Sequence, residues 1–177
     1  MKIGIIAAMT PDGIIGVDGS IPWRHKADLR RFKELTMGSA IIFGAKTYAT
    51  LPKLPGRRVI VVSRNTYKDW GTSQWPDACF GRLEAAIFRG KVMSGTDTVW
   101  IGGGGEIYRL ALEEGRVDFI DLTIVPSANI TGTQVIRFPV DLLSGWSLVE
   151  EKANVEDPQL VHRRYGRNVC ATNVLGK

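Results

Sequence analysis

Short apolar runs alternate along this chain with stretches in which apolar residues return every three to four positions. Residues 3–9 (Ile-Gly-Ile-Ile-Ala-Ala-Met) form one such run, and the turn signal Pro11-Asp12-Gly13 follows at once. A short segment that is apolar on successive positions predicts a strand buried on both faces. Its apolar core is very short for a signal peptide. Similar runs, rich in β-branched residues, predict strands at 40–43, 58–63, 98–101 and 119–125. Weaker strand signals follow at 146–149 and 161–165. Helical periodicity predicts helices at 27–36, 83–89 and 106–114, and a short helix starting at 46–50. Residues 11–22, with Gly13, Gly16 and Gly19, read as a long loop, and 52–56 as a turn. Strands alternating with helices predict an α/β domain whose mainly parallel sheet is covered on both faces. The late strands lack intervening helices, which predicts an antiparallel edge. Residues 168–177 read as a loosely held tail, leaving 1–167 as the folded domain.

At 177 residues the chain suits one compact domain. Hydrophobic residues make up 44% and charged residues 23%, which excludes a wholly disordered chain. No apolar run approaches the roughly 18–20 residues of a membrane-spanning helix, so no membrane partner is expected. The formal charge of +5 favours an anionic partner without choosing between nucleic acid and a small phosphorylated ligand. The basic residues are scattered, the densest groups being 24–31 and Arg163-Arg164, so nucleic acid is not the expected partner. Cys79 and Cys170 have neither metal nor redox spacing, and reduced thiols in a cytoplasm are the expectation. Glycine is abundant, 20 residues in 177 without low complexity, which points to tight turns and close backbone approach to a ligand.

Three constellations carry candidate chemistry. On a helix over 27–36, Asp28, Phe32 and Leu35 share a face, Leu29 flanks them, and Arg30, Arg31, Lys33 and Glu34 lie largely opposite. A carboxylate is thus set in an apolar face. Two readings compete: a helix-start Asp paired with backbone N–H groups, Arg24 or Arg31, or a lone acid gripping a cationic group or assisting proton transfer. The second constellation is a pair of strand-to-helix junctions, Ile101-Gly102-Gly103-Gly104-Gly105-Glu106-Ile107-Tyr108 and Phe43-Gly44-Ala45-Lys46-Thr47. Neither has the G-x-G-x-x-G or P-loop spacing. Both expose N–H groups where a helix begins, and together they could hold one pyrophosphate from two sides. The glycine run is also readable as a tight strand-to-helix turn. The third is Leu54-Pro55-Gly56-Arg57 with Ser63-Arg64 at the next strand end. Arg57 on a rigid turn suits a carboxylate, and Ser63 with Arg64 suits a phosphate monoester; a solvated turn arginine is the alternative. The two histidines, His25 and His162, read as surface residues. No metal cluster stands out.

In combination these motifs resemble dihydrofolate reductase, from Met1 to about Pro139 and more weakly beyond. The most specific segment is Gly13-Ile14-Ile15-Gly16 with Ile21-Pro22-Trp23 and Ala27-Asp28-Leu29-x-x-Phe32. Gly44-x-Lys46-Thr47, Leu54-Pro55-Gly56-Arg57, Ser63-Arg64-Asn65 and Gly103-Gly104-Gly105-Glu106-Ile107-Tyr108 follow in the family's order. The resemblance implies a single three-layer α/β/α domain with an eight-stranded, mostly parallel sheet and an antiparallel C-terminal strand. It implies reduction of 7,8-dihydrofolate by NADPH in a cytoplasmic monomer. Asp28 would be the ionisable side chain at the pterin, supported by Thr123, with Trp23 in the mobile loop that closes over the nicotinamide. Ile6, Ala8, Leu29, Phe32, Leu51 and Leu54 would line the pterin and aminobenzoyl pocket, with Gly102 and Tyr108 beside it. Arg57 would take the glutamate α-carboxylate. For the cofactor, Gly103, Gly104, Gly105 and Glu106 would meet the pyrophosphate from one side, and Gly44, Lys46 and Thr47 from the other. Ile107 and Tyr108 would lie next to them. Ser63 and Arg64 would take the 2′-phosphate, and Ala8, Ile15, Gly16 and Ile21 would approach the nicotinamide. A cis peptide is implied between Gly103 and Gly104.

Three positions depart from the family pattern. Ala45 stands where Arg is usual, which puts the preference for NADPH over NADH in question. Gly102 replaces a branched aliphatic residue at the substrate ring; the expectation is an enlarged pocket that binds trimethoprim-like diaminopyrimidines weakly, as in a resistance-type variant. Thr133 stands where Asp is common, leaving the coupling of its loop to the 11–22 loop open. Rival readings are the pyrimidine reductase of riboflavin biosynthesis, which shares the fold, and a folate- or nucleotide-binding structural protein of virion type. The Ile21-Pro22-Trp23 and Asp28 segment argues against the first; binding without turnover would support the second.

Overall fold

In the computed structural model, residues 1–64, 75–126 and 130–168 are described. Asn65, Cys170 and nearly all of the expected tail lie outside them.

The first strand, β1 (Lys2–Met9), occupies the interior of an eight-stranded sheet. Its neighbours are β6 (Thr98–Gly103) and β7 (Phe119–Ile124), both parallel to it. Outward from β6 lie β3 (Ala40–Gly44), β4 (Arg58–Val62) and β5 (Ala78–Phe80), again parallel. On the other side β10 (Val161–Arg167) pairs antiparallel with β7, and β9 (Trp146–Ala153) pairs with β10. The helices are α1 (Lys26–Thr36), α2 (Ala45–Thr50), α3 (Leu83–Met93) and α4 (Gly105–Glu113).

Continuous apolar strands are needed because both faces are covered. Alternate residues of each strand enter different cores. Ile42, Ile60 and Ile101 pack with Leu83 and Ala86 of α3 and Ile107 of α4. Ile41, Phe43, Val61 and Trp100 pack with Phe32 and Leu35 of α1 and Leu51 after α2. The three-layer expectation is met, and β10 is the reversed strand.

One expectation fails. Residues 11–22 are not wholly loop: β2 (Ile14–Val17) pairs antiparallel with β8 (Val135–Arg137) in a separate two-stranded ribbon. Alternation is weak in both segments, so only long-range pairing defines them. β5 has three residues and likewise carries no pattern of its own. A 3-10 turn (Val140–Gly145) precedes β9, which runs further than the strand signal at 146–149.

Candidate active site

The carboxyl ends of β1, β3 and β6 open into a cavity of about 390 Å³ between α1, α2 and the β2–β8 ribbon. Open α/β sheets place ligands at these strand ends. Ile6 and Ala8 enter from β1, Leu29 and Phe32 from α1, and Lys46, Thr47 and Leu51 from α2 and its end. Ile15, Gly16 and Ile21 close the side formed by the ribbon, while Gly102, Gly104 and Tyr108 form the opposite wall. These are residues the sequence nominates.

Asp28 faces this cavity from the first turn of α1. Burial pushes its carboxyl above the ordinary carboxylate range; a hydrogen bond from Thr123 and the charges of Arg31 and His25 pull the other way. The competing reading, an Asp neutralised by a helix arginine, is not what forms. Arg31 is committed elsewhere: its Nη2 lies 2.6 Å from Oδ1 of Asp121, a carboxylate 1% exposed that Arg164 also holds at 2.8 Å. Arg31 therefore lies under the site rather than on the opposite face, as its helical position suggested. It lends Asp28 a distant positive potential without closing an ion pair.

Tyr108 is buried, with its hydroxyl 2.8 Å from the Ile6 carbonyl and 2.9 Å from that of Gly102. Burial, and then the charge of Asp28, hold its phenol well above the usual range. It serves as a neutral donor bridging the ends of β1 and β6. The Gly103–Gly104 peptide is cis, as the resemblance implies. Gly103 has φ of 109°, and a Cβ there would lie 2.9 Å from the Tyr108 ring, so glycine is required on both counts.

The two strand-to-helix junctions meet. A Cβ on Gly104 would lie 2.7 Å from Thr47 Oγ1, and one on Gly44 would lie 3.0 Å from Ile107. Backbone N–H groups at the starts of α2 and α4 are thereby brought side by side, with exposed Lys46 on the rim. This cradle, which larger residues would fill, fits a pyrophosphate.

Gly102 is a correction. Its missing side chain leaves no enlarged pocket, because the ring of Phe43 fills the space: a Cβ at 102 would come within 2.3 Å of Phe43 Cε1. Phe43 faces the same cavity and was not among the nominated residues.

Leu54 and Arg57 line a neighbouring cavity that shares Leu51 with the first. Arg57 is half-buried, its Nε donates to the Pro55 carbonyl at 3.2 Å, and burial lowers its guanidinium pKa. Ser63 and Arg64 lie at the end of β4, outside both cavities, with Ser63 N–H donating to the Phe80 carbonyl. Trp23 is half-buried against Ala27, Val125 and Leu160, next to the site rather than in its lining. Gly105, Glu106 and Ile107 belong to the first turn of α4, Ile107 being buried in the core.

Three further residues escaped the sequence. Asp18 reaches from the β2 side and accepts hydrogen bonds from Thr133 Oγ1 at 2.9 Å and Gln134 N–H at 2.8 Å. The loops are therefore coupled, with the carboxylate on the opposite partner from the family pattern. Nor are both histidines at the surface. His25 is half-buried against Asp157, and His162 is buried against Thr123.

A family model described as dihydrofolate reductase matches residues 2–166. The chain is 35% identical over 159 residues to a Salmonella typhimurium protein named dihydrofolate reductase type 3, covering 89% of this chain and 90% of that protein. It is 40% identical over 129 residues to Escherichia coli dihydrofolate reductase type 8, covering 71% and 75%. Among solved structures, a dihydrofolate reductase from Enterococcus faecalis, complexed with NADP(H) and RAB-propyl, aligns with a TM-score of 0.76 over 94% of this chain and 96% of its own. At 22% identity that likeness concerns the fold.

Proposed function

The chain belongs to the dihydrofolate reductase family, and on that premise we propose that Asp28 and the cavity it faces carry out the reduction of 7,8-dihydrofolate by NADPH. The observation that carries the assignment is a half-buried carboxylate facing a largely apolar cavity, while the guanidinium of Arg31 on the same helix is already paired with Asp121. Such a group is free to meet donors on a ligand. Its two oxygens suit the 2-amino group and N3–H of a pterin.

The reaction adds a hydride to C6 and a proton to N5. Bound NADPH would supply the hydride, and the glycine cradle would hold its pyrophosphate. Asp28 promotes the protonation of N5 through water and the substrate tautomer, since its raised pKa favours retention of a proton on the Asp28–pterin unit. Thr123 orients the carboxylate. Ile6, Ala8, Leu29, Phe32 and Leu51 keep the rings dry and aligned. Leu54 and Arg57 receive the aminobenzoyl-glutamate end, Arg57 as a bidentate partner for the α-carboxylate. Gly103, Gly104, Gly105, Glu106, Lys46 and Thr47 surround the pyrophosphate, and Ser63 with Arg64 takes the 2′-phosphate. Trp23, Ile15, Gly16 and Ile21 cover the nicotinamide side.

We assign the catalytic unit to residues 1–167, working as a cytoplasmic monomer without nucleic-acid or membrane partners. None of the described helices is long and apolar enough to cross a membrane. Weak trimethoprim binding is part of the same reading, carried by Phe43 and Gly102 in place of a branched aliphatic wall.

The test is an assay of the purified chain with NADPH and dihydrofolate, following reduced-nicotinamide absorbance. Turnover is expected, and it persists in micromolar trimethoprim. A folded chain that binds NADPH without turnover would instead be a binding protein.

A further inference from the structure

Register places His162 on β10 directly opposite Thr123 on β7. The imidazole is 6% exposed and bonded at both nitrogens. Nδ1 lies 3.2 Å from Thr123 Oγ1, and Nε2 lies 2.8 Å from Asn154 Nδ2.

The direction of each bond follows from the outer end inward. Asn154 Oδ1 accepts from the backbone N–H of Glu156 at 2.8 Å and of Asp157 at 3.0 Å. Those two donors orient the amide, so its nitrogen faces the ring. An amide nitrogen only donates, so His162 Nε2 must accept and carries no proton. A neutral imidazole then has its proton on Nδ1, which donates to Thr123 Oγ1. The threonine's own proton is left for Asp28, which lines the same cavity and whose charged form Thr123 favours.

We propose that His162 is a positioning residue for Asp28, acting through Thr123 in a hydrogen-bond chain that Asn154 orients. The inference rests on Asp28 being the acid of the reductase reaction. Without the ring N–H nothing holds the Thr123 hydroxyl oxygen in place, and its O–H is no longer fixed toward the carboxylate. The chain thus keeps Asp28 ionisable despite its burial and fixes the plane in which it meets the pterin.

The charges facing the ring are Arg31 from α1, Asp121 from β7 and Lys152 from β9. Burial and Arg31 disfavour the imidazolium, while Asp121 opposes them. Protonating Nε2 would also set its N–H against the Asn154 amide N–H. Facing Asp28 are Arg31 and His25 from the α1 end, and Tyr108 from α4. Arg31 thus faces both ends of the chain.

The test uses the full chain and two readouts independent of turnover: ¹⁵N spectra of His162 and the ¹³Cγ titration of Asp28. The neutral Nδ1–H tautomer is expected between pH 6 and 8. His162→Leu should raise the Asp28 midpoint by about one pH unit, and the alkaline limb of hydride transfer should move with it. His162→Asn, which can keep a donor toward Thr123, should restore most of the difference. In a Thr123→Val background His162→Leu should add nothing, since both act through one bond. An Nε2–H tautomer, an imidazolium at neutral pH, or a shift that survives in the Thr123→Val background would overturn the proposal. The tautomer is read on the unmodified chain, so a variant that fails to fold does not remove the test. Absence of turnover in the unmodified chain would defeat the reductase reading and leave the titrations to be judged separately.

Discussion

The ring of Phe43 stands where any side chain at position 102 would have to go. A Cβ there would meet Cε1 at 2.3 Å and Cζ at 2.7 Å, with Ile41 Cγ2 at 2.9 Å behind them. The two residues sit on adjacent strands, β3 and β6, and face the same core. Phe43 is 2% exposed, so it cannot simply swing aside. The wall of the cavity is one large ring paired with one absent side chain.

Gly102→Ile alone is therefore expected to overpack the wall and destabilise the chain by about 1–3 kcal/mol. Adding Phe43→Leu should recover most of that loss, a non-additivity that thermal melts of both single variants and the double variant would measure. The double variant should also bind trimethoprim at least about tenfold more tightly, equivalent to about 1.4 kcal/mol. Additive melts, or unchanged inhibition in a well-folded double variant, would break the link between this wall and weak drug binding.

Asp28→Asn separates stability from activity. An acid whose pKa is raised by desolvation binds more protons folded than unfolded. Its unfavourable contribution therefore grows as pH rises from the ordinary Asp range, about 3.9, through the raised folded value. The amide of the substituted side chain never takes on that charge, so the variant should melt higher than the parent at pH 7, with the difference vanishing in acid. Single-turnover hydride transfer should fall about 10²- to 10⁴-fold. A variant that melts lower at pH 7 would mean the carboxylate is better paired than its surroundings indicate.

Asp18 ties the β2 side of the ribbon to Thr133 and Gln134 at the margin of the cavity. Those hydrogen bonds hold its carboxyl below the usual range. Stabilisation from such a group is present above the unfolded pKa and is lost only as pH falls through the lowered folded value. Asp18→Ala should leave the melting temperature nearly unchanged, because the carboxylate is exposed, and slow hydride transfer several-fold. Stopped-flow at neutral pH gives the rate; an unaltered rate would show that the ribbon closes without this contact.

Arg57→Lys keeps the charge and loses the planar fork. The KM for dihydrofolate should rise about tenfold or more, while a pterin lacking the glutamate end should be turned over unchanged. Equal effects on both substrates would place Arg57 in the fold rather than at the α-carboxylate.

Asp121 is pinned between Arg31 and Arg164 at 2.6 and 2.8 Å. Replacing Arg31 by Met leaves a buried carboxylate short of a partner, a loss of about 3–5 kcal/mol in comparable cases. Chemical denaturation should show it as a lower midpoint with an unchanged slope.

Much of this was legible along the chain because it depends on neighbours in sequence. The apolar runs of β1, β3, β4, β6 and β7 announce strands buried on two faces, and the spacing of Asp28, Phe32 and Leu35 puts a carboxylate on the inward face of α1. The glycine junctions before α2 and α4 read as close-approach turns because glycine alone tolerates them. What the linear pattern did not contain is which distant residues face one another. Arg31 looked like an outward arginine until β7 brought Asp121 beneath it. Gly102 looked like a gap until β3 laid Phe43 across it. His162 looked like a surface histidine until β10 paired with β7 and set it against Thr123. β2 and β8 have no strand pattern separately and become a ribbon only in each other's company. Local spacing decides which side of an element a residue occupies; only the tertiary structure decides what waits on that side, because burial, ion pairing and hydrogen-bond direction are set by register between segments far apart in the chain.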